Sequence, residues 1–167
     1  MSFADRVLYA RMNGTCVIRF VGDIRYTLSA ALDAFLDELF ADPALERIIV
    51  DLRATTSIDS TNLGLLAKIA SFVRDRFGGK PALVSTRPDI NRILDSVGFS
   101  EIFDWVADCP DTEAGANEVQ SVGVSEEMTG RTVLEAHRIL CALNERNLEM
   151  FRDVVEGLES ELRAPRS

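Results

Sequence analysis

Hydrophobic and polar positions change period several times along the chain. Residues 7–11 and 16–21 are short β-rich runs, and Asn13-Gly14 between them predicts a tight hairpin. Gly22-Asp23 is expected to end the second strand. From 27 to 40 the period becomes helical: Leu28, Ala31, Leu32, Phe35, Leu36 and Leu39 share one face. Thr27 or Ser29 supplies a cap, and Asp42-Pro43 a stop. Residues 47–52 form a compact apolar run, which predicts a central parallel strand buried on both faces. Residues 57–64 read as a turn into a second helix, with Leu63, Leu66, Ile69, Ala70, Val73 and Phe77 as its buried stripe and Gly78-Gly79 as its end. A strand at 82–85, a helix at 88–97 opened by Pro88 and closed by Gly98, and a last strand at 102–106 complete the series.

The order β-β-α-β-α-β-α-β predicts an α/β fold. Helix-linked strands pair in parallel through right-handed crossovers, and the initial hairpin adds an antiparallel pair. The sheet is therefore mixed, with crossover helices on it, over residues 1–108. Residues 109–128 are polar and acidic and read as a linker. Residues 129–167 form a helical extension, in which Val133, Ala136, Leu140, Leu143, Phe151, Val154, Leu158 and Leu162 recur at a helical period, interrupted by Asn147. Residues 129–162 make either one helix of about 50 Å, at ~1.5 Å per residue, or two helices broken near 144–147. The apolar face either folds back on its own domain or pairs with another chain, as a homodimer or a partner clamp.

Composition narrows the function. The 167 residues are 47% hydrophobic and 27% charged, a globular balance, with a net charge of −9. Residues 1–108 carry 12 basic and 15 acidic side chains and the remainder 6 and 12, so the tail is the more acidic part. Nucleic-acid and anionic-membrane binding are disfavoured, since both need clustered Lys and Arg. No apolar run reaches the ~18 residues of a spanning helix, and the first residues lack the apolar core of a signal peptide. Cys16, Cys109 and Cys141 are far apart and read as free thiols in a reducing cytoplasm.

Candidate chemistry concentrates in Ile58-Asp59-Ser60-Thr61-Asn62-Leu63-Gly64. The segment joins a strand to a helix, so Ser60 and Thr61 sit where free backbone N–H groups and the helix dipole favour negative charge. A phosphate on Ser60 adds about −1.5 to −2 charge beside Asp59. A partner surface built for a neutral hydroxyl would then reject it. The same residue types also serve as plain helix caps.

This segment resembles the signature of the STAS domains, specifically the bacterial anti-sigma factor antagonists. Ile49-Val50-Asp51-Leu52 followed by Ile58-Asp59-Ser60-Thr61 and Gly64 is similar to the family's strand and phosphorylation loop. Gly22-Asp23-Ile24 and Val97-Gly98-Phe99 are similar to two of its turns, and the resemblance covers roughly residues 5–107. It implies a STAS-like fold. It implies that Ser60 is phosphorylated by an anti-sigma factor that is also a serine kinase, that the unmodified form binds this partner and so frees a sigma factor, and that a PP2C-type phosphatase resets the switch. Asp59, Thr61, Asn62, Asp23 and Arg25 are the expected loop and interface residues. Asn62 stands where the family often has Gly, and Arg25 near where it often has Asp.

Other chemistries fit less well. Ser60 lacks a G-x-S-x-G setting, and the one histidine, His137, lies in the distant extension, so no catalytic residue is assigned. One histidine and no close cysteine pair give no zinc site, and Gly78-Gly79-Lys80 is not a phosphate loop, so neither metal nor cofactor is expected. A STAS subunit of a transporter or other assembly, never phosphorylated, is the alternative.

Overall fold

Two positive-φ residues start the fold. Asn13 (φ 49°) and Gly14 (φ 86°) make the turn that closes β1 (Arg6–Met12) on β2 (Thr15–Ile24), a twist that Asn and Gly tolerate best. The computed structural model describes residues 5–110, 115–121 and 123–164. β2 then pairs in parallel with β3 (Arg47–Asp51), β3 with β5 (Ala82–Val84), and β5 with β6 (Asp104–Trp105). The strand order is β6-β5-β3-β2-β1-β7, with β1 antiparallel to both its neighbours and β4 (Thr55–Ile58) parallel to the far end of β2. The expected α/β fold with a mixed sheet is the observed one.

Two faces of the sheet are packed unequally. Cys16, Ile18, Ile48, Val50 and Leu83 point into the main core. They meet α1 (Ser29–Phe40), α2 (Ser60–Phe77) and α3 (Pro88–Ser96) through Leu32, Leu36, Leu66, Ile69, Ile90 and Leu94. The alternate side chains Val17, Ile49, Ala82 and Val84 form a small cluster on the other face, with Met12 and Cys109 against it. β3 is thus buried on both sides, as its unbroken apolar run predicted.

Several boundaries differ from the sequence expectation. Gly22-Asp23 does not end β2, which bulges there and continues to Ile24 against β4. That short strand takes in Ser57 and Ile58, expected as the start of a turn, and Thr55 and Thr56, which had no assignment. The first long helix starts at Ser29 after a 3₁₀ turn, Tyr26–Leu28. Ile102 ends a one-turn helix, α4 (Phe99–Ile102), rather than starting the last strand. Within the acidic segment, β7 (Asn117–Glu118) adds an edge to β1, and Val119 N donates to Val7 O at 2.9 Å. Residues 111–114 and 122 of that segment lie outside the described residues.

The extension is two helices. α5 (Glu126–Leu143) starts three residues earlier than the apolar period suggested, capped by the Ser125 hydroxyl on Met128 N. Asn144 breaks the chain (φ −166°) and caps α6 (Glu145–Arg163) through Asn147 N. α5 lies across α2 and touches α1, and α6 packs on α5. Ala136 and Leu140 of α5 belong to the main core, so the apolar face of α5 folds back on its own domain, while Val154 and Leu162 of α6 stay exposed.

Candidate functional site

Asp59 organises the segment that sequence analysis singled out. Its backbone N–H bonds Ile24 O at 3.1 Å, fixing the end of β4 beside the end of β2. One carboxylate oxygen accepts from Tyr26 N at 2.6 Å, and the other from Asn62 N and Asn62 Nδ2, each at 3.0 Å. The side chain is therefore the N-cap of α2 and a clamp on the β2–α1 loop. Ser60 is the first residue of the helix, on a backbone held from both sides.

The remaining expected residues divide into two groups. Thr61 and Asn62 are buried and unavailable at the surface of this form. Asp23 and Arg25 sit at the rim, where Arg25 Nε donates to Asp23 at 2.6 Å and the Ser57 hydroxyl donates to the other Asp23 oxygen. The Ser57 hydroxyl, with Arg25 beside it, holds the Asp23 carboxyl below its ordinary range. Asp23 N in turn donates to Asp5 at 2.9 Å. Ser57 and Tyr26 thus join the rim, although no motif marked them.

One contact contradicts the sequence reading outright. His137 does not stand apart from Ser60: its Nε2 lies 2.8 Å from the Ser60 hydroxyl. Its Nδ1 lies 2.7 Å from Val133 O, one turn back in α5. A carbonyl only accepts, so Nδ1 carries the proton, and in the neutral ring Nε2 accepts from the serine. The ring is buried at 4% exposure, its edge against Phe151 of α6. Both ring nitrogens are thereby taken by groups other than a carboxylate, and Asp59 is committed to Tyr26 and Asn62.

The fit of α5 on α2 explains Gly64. A Cβ there would stand 2.2 Å from Ala136 O and 2.6 Å from Ala136 C, so only glycine admits the α5 backbone at this crossing. Ser60, Gly64, Ala67 and Ser71, spaced four, three and four apart, make one small-residue face on α2. That spacing is the signal in the sequence that a helix lies here; the apolar stripe of α2 alone pointed to the sheet. Beside it, a cavity of about 790 Å³ opens between Tyr26, Asp59, Thr61, Ser125, Val133 and Leu158. Among the described residues, no cluster of His, Cys, Asp and Glu suits a metal ion, and no helix is long and apolar enough to cross a membrane.

The STAS domain profile matches residues 7–116. The chain belongs to the STAS domain family. Within this STAS chain, α5, α6 and His137 lie beyond the matched residues. An anti-sigma F factor antagonist of Paenibacillus polymyxa is 25% identical over 89 residues, 53% of this chain and 75% of that protein. The solved anti-sigma factor antagonist SpoIIAA in its unphosphorylated form aligns with a TM-score of 0.54 at 17% identity, over 63% of this chain and 90% of that one. The Bacillus cell fate determinant SpoIIAA in its phosphorylated form aligns with a TM-score of 0.50 at 17% identity, over 63% and 93%. At these identities the two structures speak for the STAS fold.

Proposed function

We propose that this protein is an anti-sigma factor antagonist that works by partner switching in the cytoplasm. With Ser60 unmodified it binds an anti-sigma factor that is also a serine kinase, and it is released when Ser60 is phosphorylated. In that step Ser60 Oγ bonds the γ-phosphorus of ATP, the bond to the β-phosphate oxygen breaks, ADP leaves, and the hydroxyl proton passes to a base. A PP2C-type phosphatase restores the hydroxyl.

The observation that carries this reading is the position of Ser60. It is the first residue of α2, directly after an aspartate cap held by Tyr26 of the β2–α1 loop and by Asn62 of α2 itself. The rim beside it is formed by Asp23, Arg25 and Ser57. STAS membership and the names of the relatives support the same role. Phosphorylation adds about −1.5 to −2 charge at this point on an acidic chain, enough to turn a complementary docking surface into a repulsive one.

The Ser60–His137 pair is also what a serine hydrolase would need. A backbone carbonyl stands where such a site has a carboxylate, and the buried imidazole fills the space in front of the hydroxyl. Binding is the better reading.

Incubation with the partner kinase and ATP, followed by phosphopeptide mapping, tests it. Phosphate is expected on Ser60. Ser60→Ala keeps partner binding and resists the kinase, whereas Ser60→Asp, with one added charge, weakens binding only in part. Phosphate elsewhere with Ser60 unmodified, or equal affinity of both forms for the partner, overturns the proposal. A stable complex with a membrane transporter and no modification points instead to a structural STAS subunit.

A further inference from the structure

The α5–α6 hairpin occupies the very hydroxyl on which the proposed switch depends. Ser60 Oγ is bonded to His137 Nε2 at 2.8 Å, and His137 is itself enclosed by α5 and by Phe151 of α6. Esterifying that oxygen removes the proton it donates to the imidazole and puts a bulky anion beside the buried ring. An incoming kinase meets the same obstacle. We propose that the hairpin is an intrachain lid on the Ser60–Gly64–Ala67–Ser71 face of α2, and that it must lift before kinase or partner engages that face. This inference rests on the reading of Ser60 as phosphoacceptor.

Three features fit a lid better than a permanent wall. The polar ties of the hairpin are mainly to itself, while Ala136 and Leu140 seat it on the core. Among the described residues its ion pairs, Arg131–Glu127, Arg138–Glu135 and Arg138–Glu159, all close within α5 and α6. Among the described residues, its side-chain hydrogen bonds to the rest of the fold are His137 to Ser60 and Asn147 Nδ2 to Val97 O at 3.0 Å. The surface beneath is shaped for the close approach of a helix backbone. Gly64 meets the backbone of Ala136, so this contact depends on how closely a helix backbone approaches α2. Finally, the hairpin lies beyond the residues matched to the STAS family, so it is an addition to that domain's own strands and helices, seated on them through Ala136 and Leu140. α5 therefore acts as the intrachain rival of a partner helix.

Hydrogen–deuterium exchange on the full chain tests the lid without any partner. Gly64→Ala favours α2 as a helix but drives its Cβ into Ala136. Overpacking of this kind is expected to raise exchange across α5 and α6 by about tenfold or more. Peptides of β2 and β3 should keep their parent rates. His137→Leu, which removes the hydroxyl's acceptor without adding bulk to α2, is the second variant and should raise the same exchange to a smaller extent. Ala67→Cys, at a position buried under α5 in the parent, reports uncovering of the face through alkylation of the introduced thiol by iodoacetamide, read by peptide mass mapping. The rate at that position should rise in step with the exchange when either substitution is added.

If α5 and α6 exchange only as fast as β2 and β3 in the parent and both variants, the hairpin opens only with the whole fold and the lid is refuted. Raised exchange with no gain in alkylation of the Ala67→Cys reporter refutes it equally, because the α2 face would then stay covered. The kinase that modifies Ser60 should act faster on both variants, more so on Gly64→Ala, in step with their exchange. Absence of phosphate on Ser60 even where the lid is open counts against the phosphoacceptor reading, while exchange and alkylation still decide the lid.

Discussion

Asn147 offers the sharpest test of how the hairpin is fastened. Its amide is fully buried and its Nδ2 donates to Val97 O, the carbonyl just past α3, across 50 residues of sequence. Asn147→Ala leaves that carbonyl facing a void. Val97 is itself 1% exposed, so water does not readily replace the donor. An orphaned buried acceptor costs roughly 1–3 kcal/mol. Two effects work the other way. Alanine is the better helix former by roughly 0.5 kcal/mol, and Asn147 Oδ1, buried without a partner, disappears with the amide. The net expectation is a loss of about 1–2 kcal/mol. With a urea slope of roughly 2 kcal/mol per M, the denaturation midpoint read by far-ultraviolet circular dichroism falls by about 0.5–1 M. Exchange in α6 should rise with it, since the first turn of that helix loses its anchor. A midpoint within about 0.1 M of the parent, with α6 exchange unchanged, would show that the bond to Val97 contributes nothing to holding the hairpin.

Two further outcomes follow from titratable groups. Burial pushes the Asp51 carboxyl up, but bonds to the Arg53 side chain and backbone N–H, each at 3.0 Å, and the guanidinium charge outweigh this and hold it below its ordinary value of 3.8. A carboxylate lowered on folding stabilises the protein above its unfolded value and loses that contribution as the pH falls through the folded one; Asp51→Asn should therefore flatten the decline of the thermal midpoint below about pH 4, and parallel curves for the two proteins would contradict it. Burial also pushes the Cys16 thiol up to about 11, so native alkylation near neutral pH should leave Cys16 unmodified until denaturant is added, a result read by peptide mass mapping and contradicted by labelling of the folded chain.

The sequence carried the main architecture because its strong signals are local. The Asn13-Gly14 turn, the run at 47–52 and the stripes of α1 and α2 each depend on neighbours in the chain, and each appears where expected. The weak strands were not legible. β4 is Thr-Thr-Ser-Ile and β7 is Asn-Glu, and both owe their conformation to the edge they pair with rather than to their own side chains. Ile102 has an apolar strand-like context, yet the turn at Phe99–Ile102 keeps it helical. At the site, the cap role of Asp59 follows from residue type, but the bond from Tyr26 does not. The Ser60–His137 contact joins residues 77 apart, and no periodicity carries information over that span. What was available was the run of small residues on α2, which permits a close neighbour without naming it.

The two residues of β7 have an effect out of proportion to their length. By pinning the acidic connection to β1, they leave only the stretch from Val119 to Glu126 between a fixed point on the sheet and the start of α5. At ~3.3 Å per residue such a leash reaches about 23 Å when taut. A hairpin so tethered stays near its seat even when displaced, at an effective concentration of the order of millimolar. Any molecule that takes its place must outcompete a resident that never diffuses away, so the short edge strand sets a threshold of affinity below which casual visitors are turned out.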